Sequence, residues 1–481
     1  MNIALTNRYH HFLYITIGVA LGVILLATLS YPSRWTWFVI AGMSIPWLII
    51  LTPNPKLTLL FLLVLTVPIN TDLILNYRLH PGGAKGWTFS LIDVPLFILY
   101  AIWLLEILFY KKKSVLWWPK VTIPLAGFIL LGIFSLVKAM HHDLVYYQLF
   151  VIIKKILFVL YIGNHVNDER ALKYVILALL IGFLFECSIG FLQYHKQGKL
   201  GLYLLGERET DIDKFYLSNY EEVSRVSGTF WHGNGFAFYL QMVIPVAIGI
   251  LLFGNKALFR ILSALSIVLG LLVLILTLSR GAWLSFIISI FFLGYFYLRK
   301  IRKENKLYKR LIPALIIFFV IFLTFRDFIY SRLIGEDYGA AESRIWMMQT
   351  SFNIIKQNPL LGIGMNNYVE RMAEFDKTGF SQSFYYPVHN QFLLIASETG
   401  ILSLLLFLSA LYYAMKMSFQ AFKKSNGILA GSALGVLSGF IGFIGHAQVD
   451  LALIDMLHIL WLYLGAACAL FKMSNNSLKR N

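Results

Sequence analysis

Residues 326–390 read RDFIYSRLIGEDYGAAESRIWMMQTSFNIIKQNPLLGIGMNNYVERMAEFDKTGFSQSFYYPVHN, a long polar segment set between two apolar runs. In a chain that keeps its other connections short, an insertion of this size is either functional or disordered. Its content of Trp, Tyr, Phe, Met and Ile is too high for disorder. Ile345, Met348, Phe352 and Ile355 recur at helical spacing, which predicts a helix lying on the rest of the protein. Asn358-Pro359 ends that helix, and Gly362 and Gly364 permit a tight turn behind it. The stretch reads as a folded cap over a membrane core.

The rest of the chain supplies that core. Of 481 residues, 58% are hydrophobic and only 14% charged, and the mean hydropathy is +0.71. Such a composition excludes a soluble globular protein. Apolar runs suited to membrane spans fall at 12–30, 35–52, 57–70, 89–109, 121–138, 146–166, 171–194, 233–253, 260–278, 282–298, 311–325, 391–415, 428–446 and 455–471. If two of the weaker ones are re-entrant or merged, the expectation is an all-α polytopic bundle of about 12–14 transmembrane helices. The run from Phe12 to Ser30 is long for a signal-peptide core and reads as a retained first helix. The organisation is then 1–194 N-terminal helices, 195–232 a first large loop, 233–325 central helices, 326–390 the cap, and 391–481 the C-terminal helices and tail.

The net charge of +17 sits in short segments between apolar runs and reads as orientation in the bilayer, not nucleic-acid binding. Lys111 to Lys113, Lys256, Arg260, the run Arg299 to Arg310, Lys416, Lys423, Lys424 and Lys479-Arg480 all fall in one alternate set of loops. The positive-inside rule puts that set, and both termini, in the cytoplasm. The opposite set, with Arg34, Arg78, Lys85, 195–232, Arg280 and 326–390, faces outward. Cys187 and Cys468 both lie in apolar runs, which suggests neither a disulfide framework nor a thiol-metal site.

Four outward positions belong together. Arg225 closes the first large loop, Arg280 sits in a turn with almost no loop to spare, Arg344 opens the cap helix, and His389 ends the cap. Guanidinium offers a permanent charge and a planar fork of donors suited to phosphate. An imidazole among cations has a depressed pKa and stays ready to accept a proton. Against this, an interfacial Arg usually snorkels or binds headgroups, and a His at a helix start is more often a cap. Glu398 shares a helix face with Gln391, to orient partners near His389 or to pack in a polar seam.

Weaker motifs resolve blandly. Asp211-Ile212-Asp213 has the spacing of a metal pair but lies in an acidic loop. Gly362-Ile363-Gly364 lacks the third glycine of a dinucleotide fingerprint. His446 and Asp450 have no further ligand beside them to make a metal site. Lys154 and Lys155, inside an apolar run, bind a lipid phosphate or snorkel.

The chain resembles the O-antigen ligase and Wzy-type polymerase superfamily. The likeness rests on RVSGTFWHGNGFAFYL (225–240), SRGAWLSF (279–286), ESRIWMMQTSFNIIKQNPLLGIGMNNY (342–368) and VHNQFLLIASETGIL (388–402). It covers the C-terminal half; Gly233 stands where the family often has proline. The resemblance implies a GT-C-like membrane glycosyltransferase that moves a glycan en bloc from undecaprenyl pyrophosphate to a hydroxyl, on a lipid A-core or another lipid-linked glycan. It places this activity on the outer face of the bacterial inner membrane, with inversion and without cofactor, metal or nucleic acid. Carried over residue by residue, His389 is the general base, Arg225 and Arg280 hold the pyrophosphate, and Arg344, Asn390 and Glu398 contact substrate. A transporter or flippase of lipid-linked oligosaccharide is the competing class, but it would place its ionisable residues near the bilayer midplane. A non-catalytic scaffold would not need three arginines on one face.

Overall fold

The computed structural model describes residues 42, 44, 52–110, 119–208, 213–217, 220–301, 323–334, 339–452, 454 and 456–478. The expected span at 12–30, nearly all of 35–52 and most of 311–325 lie outside these, as do Lys111 to Lys113, Arg302 to Arg310, Asp211 and the Lys479-Arg480 tail.

The described elements run α1 (Pro55–Leu65), β1 (Asp72–Leu75), β2 (Trp87–Ser90), α2 (Asp93–Tyr110), α3 (Thr122–Phe134), α4 (His142–His165), α5 (Glu169–Lys196), β3 (Lys214–Leu217) and β4 (Tyr220–Ser224). There follow α6 (Gly233–Phe253), α7 (Ala257–Leu276), α8 (Arg280–Ile301), α9 (Arg326–Ile334), α10 (Ala340–Gln357), α11 (Tyr368–Arg371), α12 (Phe380–Ser383), α13 (Gln391–Thr399), α14 (Ile401–Lys424), α15 (Gly427–His446) and α16 (His458–Leu478). Seven described helices, α4 to α8, α14 and α15, are long and apolar enough to cross a bilayer. The protein is an all-α polytopic membrane protein. Its outer surface carries exposed Leu265, Leu284, Phe291 and Leu405, the apolar belt expected of lipid-facing helices.

The tightest seam in the bundle joins α6 and α15. Gly431, Gly435 and Gly439 recur every four residues along α15, and Gly249 faces Gly431 from α6. A Cβ on Gly249 would run into the carbonyl of Gly431, and one on Gly435 into the backbone of Val246. Small residues at this spacing let two backbones touch, which is how apolar helices gain packing where lipid removes the hydrophobic drive. Around this pair, α8 packs on α15, α7 on α6, and α14 on both α15 and α16.

Three features depart from the sequence reading. Residues 72–90 form a short antiparallel hairpin, with Asp72 opposite Ser90 and Leu75 opposite Trp87. The run 391–415 is not one span: Gly400, at φ 89 and ψ 167, separates α13 from α14, and the membrane helix runs to Lys424. A side chain on Gly400 would collide with the Leu360 carbonyl, so only glycine allows this break against the cap. The cap helix α10 is present and ends at Asn358, but it turns a different face inward. Met347, Ser351 and Ile354 are buried, whereas Ile345 and Phe352 are 55% exposed. The cap has its own small core of Met347, Ile354, Ile363, Tyr368, Val369, Met372, Phe375 and Val388, and inward-facing positions serve that core first.

A polar staple fastens the cap to the N-terminal half. Asn366 accepts from Gly83 N–H at 2.8 Å and donates to the Ala84 carbonyl at 2.8 Å. His80 lies 3.0 Å from Asn366 Oδ1 and 3.3 Å from Glu370 Oε1, and His141 is 3.6 Å from the other Glu370 oxygen. Arg78 joins Glu370 to Asp143.

Candidate active site

The turn that closes α15 is where the elements converge. Gln391 N–H donates to the Ala447 carbonyl at 3.0 Å and Asn390 Nδ2 to that of Gln448 at 2.8 Å. The start of α13, and with it His389, is thereby docked on this turn. From the other side comes the α7–α8 turn: a Cβ on Gly281 would meet Val449 at 2.8 Å and the His446 ring at 3.2 Å. Leu278 in that turn adopts φ 54 although fully buried, a strained conformation of the kind concentrated at functional sites.

Arg225 is buried and tied down. Its Nε donates to the Thr277 carbonyl at 2.6 Å and its Nη2 to Asn234 Oδ1. It bridges the α7–α8 turn to the start of α6, and Gly233 leaves the space: a Cβ there would lie 2.6 Å from Arg225 Nε. Burial lowers its pKa to about 10, with Asp450 and Asp213 opposing, so it stays charged at neutral pH. His232 caps α6 by accepting from Asn234 N–H through Nδ1 at 3.1 Å, so Nε2 carries the proton and donates to Asp213 Oδ2 at 3.1 Å. That hydrogen bond outweighs burial and pulls the Asp213 carboxyl down to about 2.

Arg280 is the first residue of α8, partly exposed, with no hydrogen bond or ion pair among the described residues. Arg344 stands one turn into α10 with a buried Nε that has no hydrogen-bond partner among the described residues. These two are therefore free to receive an anion. Behind the α7–α8 turn a further arginine, Arg332 on α9, donates to the Leu278 carbonyl at 3.3 Å.

His389 is partly exposed, with its ring against Phe384 at 6.2 Å between centroids. Its pKa lies below the ordinary histidine value: burial disfavours the charge, Asp450 works against this, and Arg344 and His232 add to it. At neutral pH it is an unprotonated imidazole.

Asp450 is the residue whose neighbours sequence reading missed. It is 5% exposed, and the charges of His389, His446 and His232 all act on it. Burial alone would raise its pKa, but the three imidazoles together bring it below the ordinary carboxyl value. His446 lies 3.8 Å away, stacked on Phe238 at 3.8 Å and accepting from Gln241 Nε2 at 2.9 Å. The pair read in the sequence as an isolated i, i+4 motif is therefore electrostatically coupled to His389. Among the described residues no group of three His, Cys, Asp or Glu is arranged to hold a metal ion.

The remaining two expected site residues lie differently. Asn390 caps α13, accepting from Phe392 and Leu393 N–H at 3.0 Å each, so both ends of its amide serve the fold. Glu398 is at the far end of α13, about 13 Å along the helix axis from His389, where Oε1 accepts from Tyr368 N–H at 3.2 Å. Lys154 pairs with Asp93, and Lys155 meets His458, both away from this turn.

Residues 265–408 match the family model described as O-antigen ligase, Wzy_C. The matched segment contains Arg280, Arg344 and His389; Arg225 and Asp450 flank it on either side. None of the curated proteins matches the chain.

Proposed function

Because residues 265–408 carry an O-antigen ligase domain, we propose that the chain moves a glycan en bloc from undecaprenyl pyrophosphate to an acceptor hydroxyl, at the outer face of the bacterial inner membrane. What supports this most is the convergence at one turn of an unprotonated His389, a buried Asp450 and three arginines, two of them without hydrogen-bond partners among the described residues. The lysine- and arginine-rich end of the bundle, with Lys256, Arg299, Lys300 and Lys424, is the opposite one, as the outward assignment requires.

In this reading His389 takes the proton of the acceptor hydroxyl as its oxygen attacks the anomeric carbon. The bond from that carbon to the pyrophosphate oxygen breaks, and the electron pair leaves with the pyrophosphate. Attack from the face opposite the leaving group inverts the centre. Arg280 and Arg344 meet the growing charge directly, while Arg225 adds a fixed cation and braces the turn that carries Arg280. Preorganised donors aimed at developing charge are usually the largest contribution to such a barrier, and general-base help adds about 10²–10⁴-fold. Asp450 stabilises the imidazolium as it forms, a positioning role exercised through His389.

The test is transfer by purified protein, wild type against His389→Ala, from a lipid-pyrophosphate oligosaccharide alone and then with a lipid A-core acceptor. Ladders from donor alone, lost in the variant, indicate a polymerase; product only with acceptor indicates a ligase. Full activity in His389→Ala would sink the reading. One observation favours the transporter alternative: Lys154, Lys155 and Glu186 are buried within spans, where ionisable groups often line pathways. Movement of lipid-linked sugar across the bilayer with no transfer would decide for it.

A further inference from the structure

Leu276 ends α7 and Arg280 opens α8, so the three residues between them, Thr277, Leu278 and Ser279, place Arg280. The carbonyls of this turn are held in succession. That of Leu276 accepts from Val226 N–H at 3.4 Å, that of Thr277 from Arg225 Nε at 2.6 Å, and that of Leu278 from Arg332 Nε at 3.3 Å. The Ser279 carbonyl accepts from Trp283 N–H at 3.1 Å and starts α8. Among the described residues the Leu278 carbonyl has no donor besides Arg332. Leu278 is the buried residue held at φ 54, a conformation that persists only where the surroundings over-determine it.

The sequence of α9 explains how Arg332 comes to this carbonyl. Phe328 and Arg332 are four residues apart and share one face of the helix. Phe328 is buried in the main core of the bundle and not in the cap's own core. That anchor lays the same face, with Arg332 9% exposed, against the α7–α8 turn. Arg280 itself has no hydrogen bond or ion pair among the described residues, so the backbone of the turn is what fixes it before an anion arrives. Displacing a preorganised group by about 1 Å can cost about 10²-fold in rate.

We infer that Arg332 is a positioning residue for Arg280, acting through the Leu278 carbonyl to keep the α7–α8 turn in the conformation that presents Arg280 to the pyrophosphate. The inference rests on the reading of Arg280 as a pyrophosphate-binding cation. Its test exploits side-chain length. The Nε2 of glutamine stands the same number of bonds from the backbone as the Nε of arginine, so Arg332→Gln keeps the N–H donor and removes the charge. Arg332→Lys keeps the charge and moves the nitrogen one bond further out, and Arg332→Met has neither donor nor charge. A residue that met the anion itself would rank lysine above glutamine; positioning through the carbonyl reverses that order.

The full chain in phosphatidylcholine nanodiscs is titrated calorimetrically with inorganic pyrophosphate. Arg332→Gln is expected to bind within about threefold of wild type, and Arg332→Lys and Arg332→Met about tenfold more weakly, the scale of one lost hydrogen bond to a buried group. In an Arg280→Ala background, Arg332→Met should weaken binding no further, because the group it positions is gone. Lysine binding as well as or better than glutamine overturns the inference, as does a full further loss in the Arg280→Ala background, which a merely structural role would give. If Arg332→Met does not fold, the order of Gln and Lys decides by itself. Equal pyrophosphate binding by wild type and Arg280→Ala, or none by either, sinks the reading of Arg280 and the inference with it. If Arg280→Ala loses binding while Arg332→Met and Arg332→Lys keep it, the inference alone fails.

Discussion

Asp450→Asn isolates the electrostatic part of the proposed chemistry, since it keeps the shape of the side chain and removes the charge. At 3.8 Å from His446, a full pair of charges is worth about 4 kcal/mol at an effective dielectric of about 20. His389 is not hydrogen-bonded to the carboxylate and receives less, on the order of half of that, or about 2 kcal/mol. Losing this support for a forming imidazolium lowers kcat about 30-fold. The sign of the pH effect is also fixed. Asp450 raises the pKa of His389 against burial and Arg344, so its removal lowers that pKa further. The acid limb of the rate profile, where His389 becomes protonated and inactive, should move down by about one to two pH units. The assay is release of polyprenyl pyrophosphate from lipid-linked donor by purified protein, from pH 4.5 to 8. A kcat within threefold of wild type, or an acid limb that does not move, would refute the reasoning. A purely structural Asp450 would lower active protein without shifting the limb.

Further outcomes are expected. Arg280→Ala should cost at least about 100-fold in kcat, and Arg280→Lys about tenfold, because lysine keeps the charge and loses the fork; equal rates for the two would argue against bidentate contact. Gly400→Ala adds a backbone collision to a φ that L residues rarely adopt, and should destabilise by at least about 3 kcal/mol, read as a fall in the thermal midpoint in detergent. The cap staple should loosen in acid: burial depresses the pKa of His80, against Asn366 and Glu370 and with Arg78, so the docked state binds fewer protons than the free one. Docking then weakens as pH falls below the ordinary histidine value of about 6.5, visible as faster proteolysis or hydrogen exchange within 366–371, and Glu370→Gln should loosen it at all pH values. EDTA should leave transfer unchanged; strong, reversible inhibition would return Asp213 to consideration.

The cap helix and the polytopic apolar core were legible because both rest on local signals. A helix period, an Asn-Pro stop and paired glycines sit within a few residues of one another, and the basic loops alternate with apolar runs. What stayed hidden depends on distant partners. Asp450 looked isolated because His389 and His232, which give it meaning, come from a cap and a loop far away in sequence. The hairpin at 72–90 was lost because DLIL and WTFS are four-residue strands of residues that also suit spans. The break at Gly400 was invisible because hydropathy does not change across it; only the approach of the Leu360 carbonyl demands glycine there. The face of α10 was misjudged because its outer side is apolar as well, with Ile345 and Phe352 exposed.

The glycine seam between α6 and α15 has a mechanical consequence. Arg225 precedes one of these helices by a short loop, and Asp450 follows the other by a single turn. Two helices in backbone contact over that length slide or splay far less than helices separated by long side chains. They behave as the fixed jaw of a caliper, whose opening is indifferent to the thickness or lateral pressure of the surrounding lipid. The other jaw is the cap with α13, which carries Arg344 and His389 and is pinned to the first through Gln391 and Asn390. Changes of bilayer should therefore leave the spacing between these groups untouched.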